Sequence, residues 1–250
     1  MHRFYVSDVS EADKSVHIYG EDVNHIKNVL RLRAGDEITV GDGSGRDYTC
    51  NISEITEDCV VADIVDITDN AAELRIDLYL FQGLPKADKM EFIIEKAVEL
   101  GAKEIIPVMM ERTVVKLDDK KKPRKLERYN LIAESASKQS RRGIIPEVKN
   151  FVNMKEAIEI ASKLDMIIVP YESAKGMDYS LEVFKEATDK KKSVGIFIGP
   201  EGGFADKEIE ALKNAGARIV SLGHRILRTE TAGLTTLSIM SFMIETAETE

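Results

Sequence analysis

Two segments near the end of this 250-residue chain hold the residue types most able to do chemistry. The first is Ile198-Gly199-Pro200-Glu201-Gly202-Gly203-Phe204. The second, about twenty residues later, is Leu222-Gly223-His224-Arg225-Ile226-Leu227-Arg228-Thr229-Glu230-Thr231-Ala232. Each sits where an apolar strand ends and a helix begins. In open α/β sheets that is where ligands bind, outside the carboxyl ends of the strands. Glycine admits positive φ and lets a ligand approach the backbone. Taken alone, the first segment is an ordinary tight turn. Beside the second it is more, because Arg225, Arg228, Glu230 and Thr231 crowd a strand end where packing needs no such charges, and burying them without purpose is costly. Neither segment has the G-x-G-x-x-G dinucleotide pattern or the G-x-x-x-x-G-K-[ST] phosphate loop. No G-x-S-x-G elbow supports a serine hydrolase. His2, His17, His25 and His224 are scattered without ligand spacing, so no metal site is expected.

Two further clusters are basic. Ser137-Lys138-Gln139-Ser140-Arg141-Arg142-Gly143 closes a long amphipathic stretch. Its cations suit a helix C-terminus, and Arg141 and Arg142 are equally able to grip phosphates. His25, Lys27, Asn28, Arg31 and Arg33 lie close together near the N-terminus, and in an extended segment Arg31 and Arg33 share a face. With Arg3 they make a discontinuous surface for RNA.

The elements that must position these groups fall into two rhythms. Up to about residue 72 the chain reads as short strands and turns, with strands at Val16-Gly20, Glu37-Val40 and Asp47-Ile52 and a helix over Glu21-Leu30. Asp42-Gly43-Ser44-Gly45 is a hairpin turn. This part predicts a small β-barrel over residues 1–72. From 73 to 250 strands and helices alternate. Strands are predicted at 74–81, 105–108, 166–169, 194–198 and 218–222. Helices are predicted from Asp88 to Leu100, from Pro123 to Ser140, and over 154–162, 180–188, 206–215 and 229–246. Such alternation implies a mostly parallel sheet covered on both faces.

The formal charge is −9, which alone argues against a nucleic-acid partner. Its distribution reverses that. Arg112 to Lys149 holds twelve Lys/Arg against five Asp/Glu, a local +7 that leaves −16 for the rest. A basic island in an acidic chain is the footprint of a polyanion, or else a solvated helix face. Only Cys50 and Cys59 are present, which suggests reduced thiols in a cytoplasmic protein. No stretch has the length of a membrane span, and the N-terminus lacks a signal-peptide layout.

Together these residues resemble the bacterial ribosomal RNA methyltransferases that modify N3 of a uridine in small-subunit (16S) ribosomal RNA, a family of the SPOUT class. The resemblance spans nearly the whole chain. It runs through His2-Arg3-Phe4-Tyr5-Val6, His25-Ile26-Lys27-Asn28-Val29-Leu30-Arg31-Leu32-Arg33, Lys86-Ala87-Asp88-Lys89, Glu99-Leu100-Gly101, Gln139-Ser140 and the two glycine-bearing loops. It departs at Lys138, where many members carry Glu.

The resemblance implies an α/β fold of SPOUT type, a mostly parallel sheet with a C-terminal trefoil knot, preceded by a small PUA-like β-barrel. It implies a homodimer, S-adenosyl-L-methionine as cofactor, and 16S ribosomal RNA or the small subunit as partner. The cofactor is expected against Tyr171, Ile198, Gly199, Pro200, Glu201, Gly202, Gly203, Leu222, Gly223, Ile226, Leu227, Thr231 and Ala232. Gly199, Gly202 and Gly203 are expected to leave no room for a side chain beside it. RNA is expected at Arg3, His25, Lys27, Arg31, Arg33, Lys138, Gln139, Arg141 and Arg142. Arg228, then Arg3, are the expected stabilisers of charge on the uracil. Glu201, Glu230 or solvent is left as the proton acceptor. Two other readings stand beside this one: a SPOUT methyltransferase for another RNA such as tRNA, and a non-catalytic RNA-binding assembly protein.

Overall fold

The computed structural model describes residues 2–86, 89–115, 118–172 and 176–247. The chain forms two compact units. The first is Met1–Glu73 with Ser137–Ile145, and the second is Leu74–Ala136 with Pro146–Glu250.

In the first unit, strands β1 (His2–Tyr5), β2 (Ser15–Tyr19), β3 (Glu37–Gly41), β4 (Arg46–Ile55) and β5 (Cys59–Asp69) form one sheet in the order β1-β3-β4-β5-β2. The β1–β3 pair is parallel and the others are antiparallel. The path is open, so the unit is a half-barrel where a barrel was expected. Its core is Phe4, Val16, Ile18, Ile38, Val40, Tyr48, Ile52 and Val60, closed by Val23 and Ile26. Those last two come from the predicted helix over 21–30. It is in fact one α-turn, α1 (Glu21–Asn24), running into a π-helical turn at His25–Val29. The α-turn buries Val23 and the looser turn buries Ile26, while His25 and Lys27 stay exposed. Arg31 follows with φ 56°, so it is not extended, and the shared face expected with Arg33 does not form by alternation.

Ser137–Ile145 joins this unit, although its position in the sequence predicts the second domain. The reason is Glu73. Its Oε1 accepts hydrogen bonds from Arg142 Nε at 2.9 Å, Gly143 N at 2.8 Å and Ile144 N at 3.0 Å, and its Oε2 accepts from Arg142 Nη2 at 2.7 Å. Gly45 N donates to Gly143 O at 3.1 Å, and the Tyr5 hydroxyl donates to Arg142 O. Burial alone would raise the Glu73 pKa. The Arg142 bond and the backbone donors outweigh it and hold the carboxyl below its ordinary value.

The second unit is built on a parallel sheet. Its elements are β6 (Asp77–Gly83), α2 (Lys89–Glu99), β7 (Ala102–Met109), α3 (Lys122–Ser140, whose last turn belongs to the first unit), β8 (Glu147–Val148), β9 (Val152–Asn153), α4 (Met154–Ala161), β10 (Met166–Pro170), α5 (Met177–Lys190), β11 (Ser193–Ile198), α6 (Asp206–Asn214), β12 (Arg218–Val220) and α7 (Thr229–Ala247). The order is β12-β10-β11-β6-β7-β8, with β9 also on β7, and every pair is parallel. One core cluster packs α2, α3, α5 and α7 on the sheet, and another packs α4 and α6. Both faces are therefore covered. Asp88, the expected cap of α2, lies outside the described residues.

Strand β12 is the sheet edge, with β10 and β11 between it and β6. Yet α7, which follows it, packs against β6 and β11. The segment 221–228 therefore returns the chain from the edge to the middle of the sheet, across the carboxyl ends of β10 and β11.

Candidate active site

That return brings the two glycine-bearing segments together. A cavity of about 480 Å³ opens at the carboxyl ends of β10, β11 and β12. Its walls come from Pro170-Tyr171-Glu172 after β10, Ile198 to Phe204 after β11, and Ser221 to Thr229 except His224 after β12. Lys89 of α2 and Ala232 of α7 complete it. Of the residues expected at the cofactor, Thr231 alone does not line the cavity. Thr229 and Ala232 are three apart on α7 and share a face, while Thr231 is exposed off it.

The first loop is a turn closed by Gly203 N–H donating to Pro200 O at 2.8 Å. Gly203 has φ 69°, which disfavours any residue with a Cβ. Gly202 is glycine for a different reason from the one expected. A Cβ there would lie 2.9 Å from Arg112 Cβ and 3.1 Å from Arg112 O. Protein, not ligand, fills that space. Arg112 Nη1 also donates to Gly202 O at 3.2 Å. A Cβ on Gly199 would meet the loop's own backbone at 3.2 Å. A Cβ on Gly203 or Gly223 would meet only open space. In the second loop Gly223, at φ 107°, donates its N–H to Ser221 Oγ at 3.2 Å. Ser221 N–H donates to Ser180 Oγ at 2.8 Å, and Tyr171 N–H donates to Val220 O at 2.9 Å, which ties the β10 and β12 ends together.

The charges have distinct fates. Lys89 Nζ lies 3.3 Å from Glu201 Oε1 and 3.2 Å from Glu230 Oε2. The Glu230 bond raises the Lys89 pKa; desolvation opposes it, and the bond to Glu201 adds to the rise, so the net shift is upward. Burial would raise the Glu201 pKa, but hydrogen bonds from its own N–H, from Lys86 N–H and from Lys89 outweigh it and lower it. A carboxylate so held is a poor proton acceptor. Glu230 is tied to the same lysine. Arg228 and Arg225 are exposed on the cavity wall and, among the described residues, make no ion pair. Lys89, Ser221 and Thr229 escaped sequence reading as site residues. Lys89 lies more than 100 residues from either loop, and its only signal was the Lys86-to-Lys89 segment of the family resemblance.

Two expected site residues are committed elsewhere. Arg3 makes a two-pronged ion pair with Asp47, Nη1 to Oδ2 and Nη2 to Oδ1, both at 2.7 Å, and its side chain is only 9% exposed. It stands over the Tyr5 ring at 5.2 Å and fills the space beside Gly41. Arg142, 2% exposed, is held by Glu73. RNA contacts were expected of both, and a catalytic role of Arg3; burial and a two-pronged carboxylate pair instead commit them inside the first unit. His25, Lys27, Arg31, Arg33, Lys138, Gln139 and Arg141 are all exposed in the first unit.

Comparison with known proteins agrees with this architecture. Residues 72–241 match an RNA methyltransferase domain and residues 18–65 an RNA methyltransferase PUA domain. Ribosomal RNA small subunit methyltransferase E of Bacillus subtilis is 39% identical over 91% of this chain and 90% of its own. That of Aquifex aeolicus is 30% identical over 96% and 99%. A crystal structure of the same enzyme from Neisseria gonorrhoeae, bound to S-adenosyl methionine, superposes with a TM-score of 0.82 at 30% identity, covering 97% of this chain and 98% of that one. Domain matches, whole-length relatives and a shared fold converge, and the chain belongs to the RNA methyltransferase family.

Proposed function

We propose that this protein transfers a methyl group from S-adenosyl-L-methionine to N3 of a uridine in small-subunit (16S) ribosomal RNA. The observation that carries this reading is the single cavity made by both glycine-bearing loops. Its size is that of a small-molecule site, and its residues fit the cofactor. Tyr171, Ile198, Leu222, Ile226 and Leu227 offer apolar surface for a purine. Glu172 and Glu201 suit a sulfonium and an ammonium, and Arg225 suits a carboxylate. When bound, this cofactor supplies a methyl already activated on sulfur.

The protein's own residues supply position and charge management. Uracil N3 is nucleophilic only as its proton leaves, and charge then spreads onto O2 and O4. Arg228, on the cavity wall and without an ion pair among the described residues, stabilises that charge. Lys89 pairs with Glu201 and Glu230, the proton goes to solvent, and the two carboxylates act as struts. The exposed cations Lys27, Arg31, Arg33, Lys138 and Arg141, with His25 and Gln139, grip the RNA backbone. The return of the chain over β10 and β11 is consistent with a trefoil knot, and Phe242, 70% exposed on α7, with a homodimer. No described helix is long and apolar enough to cross a membrane, and neither cysteine is bridged. We place the reaction in the cytoplasm, with ribosome assembly.

The test is mass spectrometry of nucleosides from unmethylated small subunits and from tRNA, each incubated with protein and cofactor. N3-methyluridine in the ribosomal RNA is the expected product. Methylation of tRNA alone, or no methylation with cofactor bound, would overturn the reading.

A further inference from the structure

The one polar residue in the interior of β6 is Gln82, at 0% exposure. Strands of a parallel sheet covered on both faces are usually apolar throughout, and a buried amide must find partners. Gln82 uses both its donors. Nε2 donates to Gly83 O at 2.9 Å and to Thr229 Oγ1 at 2.8 Å. Thr229 Oγ1, its acceptor side occupied, donates its one proton to Gly199 O at 2.6 Å. The direction of this chain is forced, because two carbonyls and one hydroxyl leave no other assignment. Gln82 Oε1 has no partner among the described residues. An orphaned buried acceptor costs free energy. An apolar side chain would avoid that cost, so the two donations are what the glutamine is for.

Those donations end on the cavity. Gly199 and Thr229 both line it, one from each loop segment. The strand end also abuts the first loop directly: a Cβ on Gly83 would lie 2.6 Å from Pro200 N and 2.9 Å from Gly199 C. Gly83 lets the loop lie on the sheet, and the Gln82–Thr229 chain aims the Gly199 carbonyl and joins it to the start of α7.

Resting on the function proposed above, we propose that Gln82 is a positioning residue: through Thr229 it sets the Gly199–Pro200 backbone for cofactor binding and couples the two loops. It touches neither ligand. Calorimetric titration with S-adenosylmethionine, RNA absent, tests this on wild type, Gln82→Met, Thr229→Val, Thr229→Ser and the Gln82→Met/Thr229→Val double variant. The two single losses should each weaken cofactor binding about tenfold, and the double variant no more than the worse single, because both break one chain. Thr229→Ser keeps the hydroxyl and should bind within about twofold of wild type. In steady state the KM for cofactor should rise while the KM for RNA holds. A general loss of fold would lower kcat and leave both KM values alone. If Gln82→Met does not fold, the Thr229→Val and Thr229→Ser pair decides. Unchanged affinity in the single variants, or losses that multiply in the double, would overturn the inference while the proposed function stands. Wild-type protein that binds no cofactor would overturn both.

Discussion

Arg228 and Lys89 carry like charges in one cavity and do opposite work. Lys89 is paired with two carboxylates, whereas Arg228, the proposed stabiliser of charge on the uracil, makes no ion pair among the described residues. Arg228→Ala should therefore slow single-turnover methyl transfer by about 10²–10³ at saturating cofactor and RNA, with little change in either affinity. Lysine should restore little, since a point charge replaces a planar fork. A near-normal rate in Arg228→Ala would leave Arg225 to carry the charge. Glu201 is separable in the same way. As a strut, Glu201→Gln should leave the pH profile of the rate unmoved, because the native carboxylate is held in its charged form well below neutral pH. A vanished acidic limb in that profile would restore Glu201 as proton acceptor.

At the scale of elements, Glu73 supplies the ionic hold on Ser137–Ile145, beside the backbone bond from Gly45 and the Tyr5 hydroxyl. Glu73→Gln leaves Arg142 buried without its countercharge, a change that typically costs about 3–5 kcal/mol. Thermal melts should show it. The pH dependence has a definite sign. The Glu73 pKa is lowered in the fold, so its stabilisation is complete above the unfolded value of about 4.3 and is lost as pH falls through the folded value. Wild type should lose stability on acidification below about pH 4, and Glu73→Gln should lose less. The first glycine-bearing loop is held as tightly from outside. Gly202→Val would drive a side chain into Arg112. Loss of cofactor binding in that variant should be partly recovered by Arg112→Gly, which removes the Cβ that the new side chain meets, measured by calorimetry. No recovery would mean the side chain blocks the ligand instead.

For the whole molecule, a net charge of −9 and an RNA substrate are reconciled by which cations remain available. At least three of the twelve cations of the basic island are paired within the protein. Arg142 is held by Glu73, Arg128 by Glu91, and Lys149 by Glu104 and Glu147. The cations at 27, 31 and 33 remain exposed in the half-barrel unit. Replacing all three with Ala should flatten the salt dependence of RNA binding, the slope falling by roughly 0.7–0.9 for each phosphate no longer neutralised. Cofactor affinity should not move. An unchanged slope would shift the RNA path to Lys138 and Arg141.

Local pattern was enough for most of the second unit. Alternation of apolar strands with helices whose stripes repeat at helical spacing placed β10, β11, α3, α6 and α7 to within a few residues, since backbone period and burial face are local properties. The glycine-bearing loops were legible because their composition is odd at a strand end. The half-barrel was harder. Strand β5 carries Asp63, Asp66 and Asp69, residues that disfavour strands, and only pairing with β2 and β4 makes it one. The π-helical turn was hidden because Val23 and Ile26 share a face in an ordinary α-helix as well, so their spacing does not distinguish the two. What only tertiary structure decided is which charges are free. Sequence cannot tell Arg142 from Arg141, or Arg3 from Arg33, because the partners Glu73 and Asp47 lie 69 and 44 residues away. Lys89 and Gln82 enter the site for the same reason: chain return from β12 to the middle of the sheet, a long-range event, sets Glu230 and Thr229 beside them.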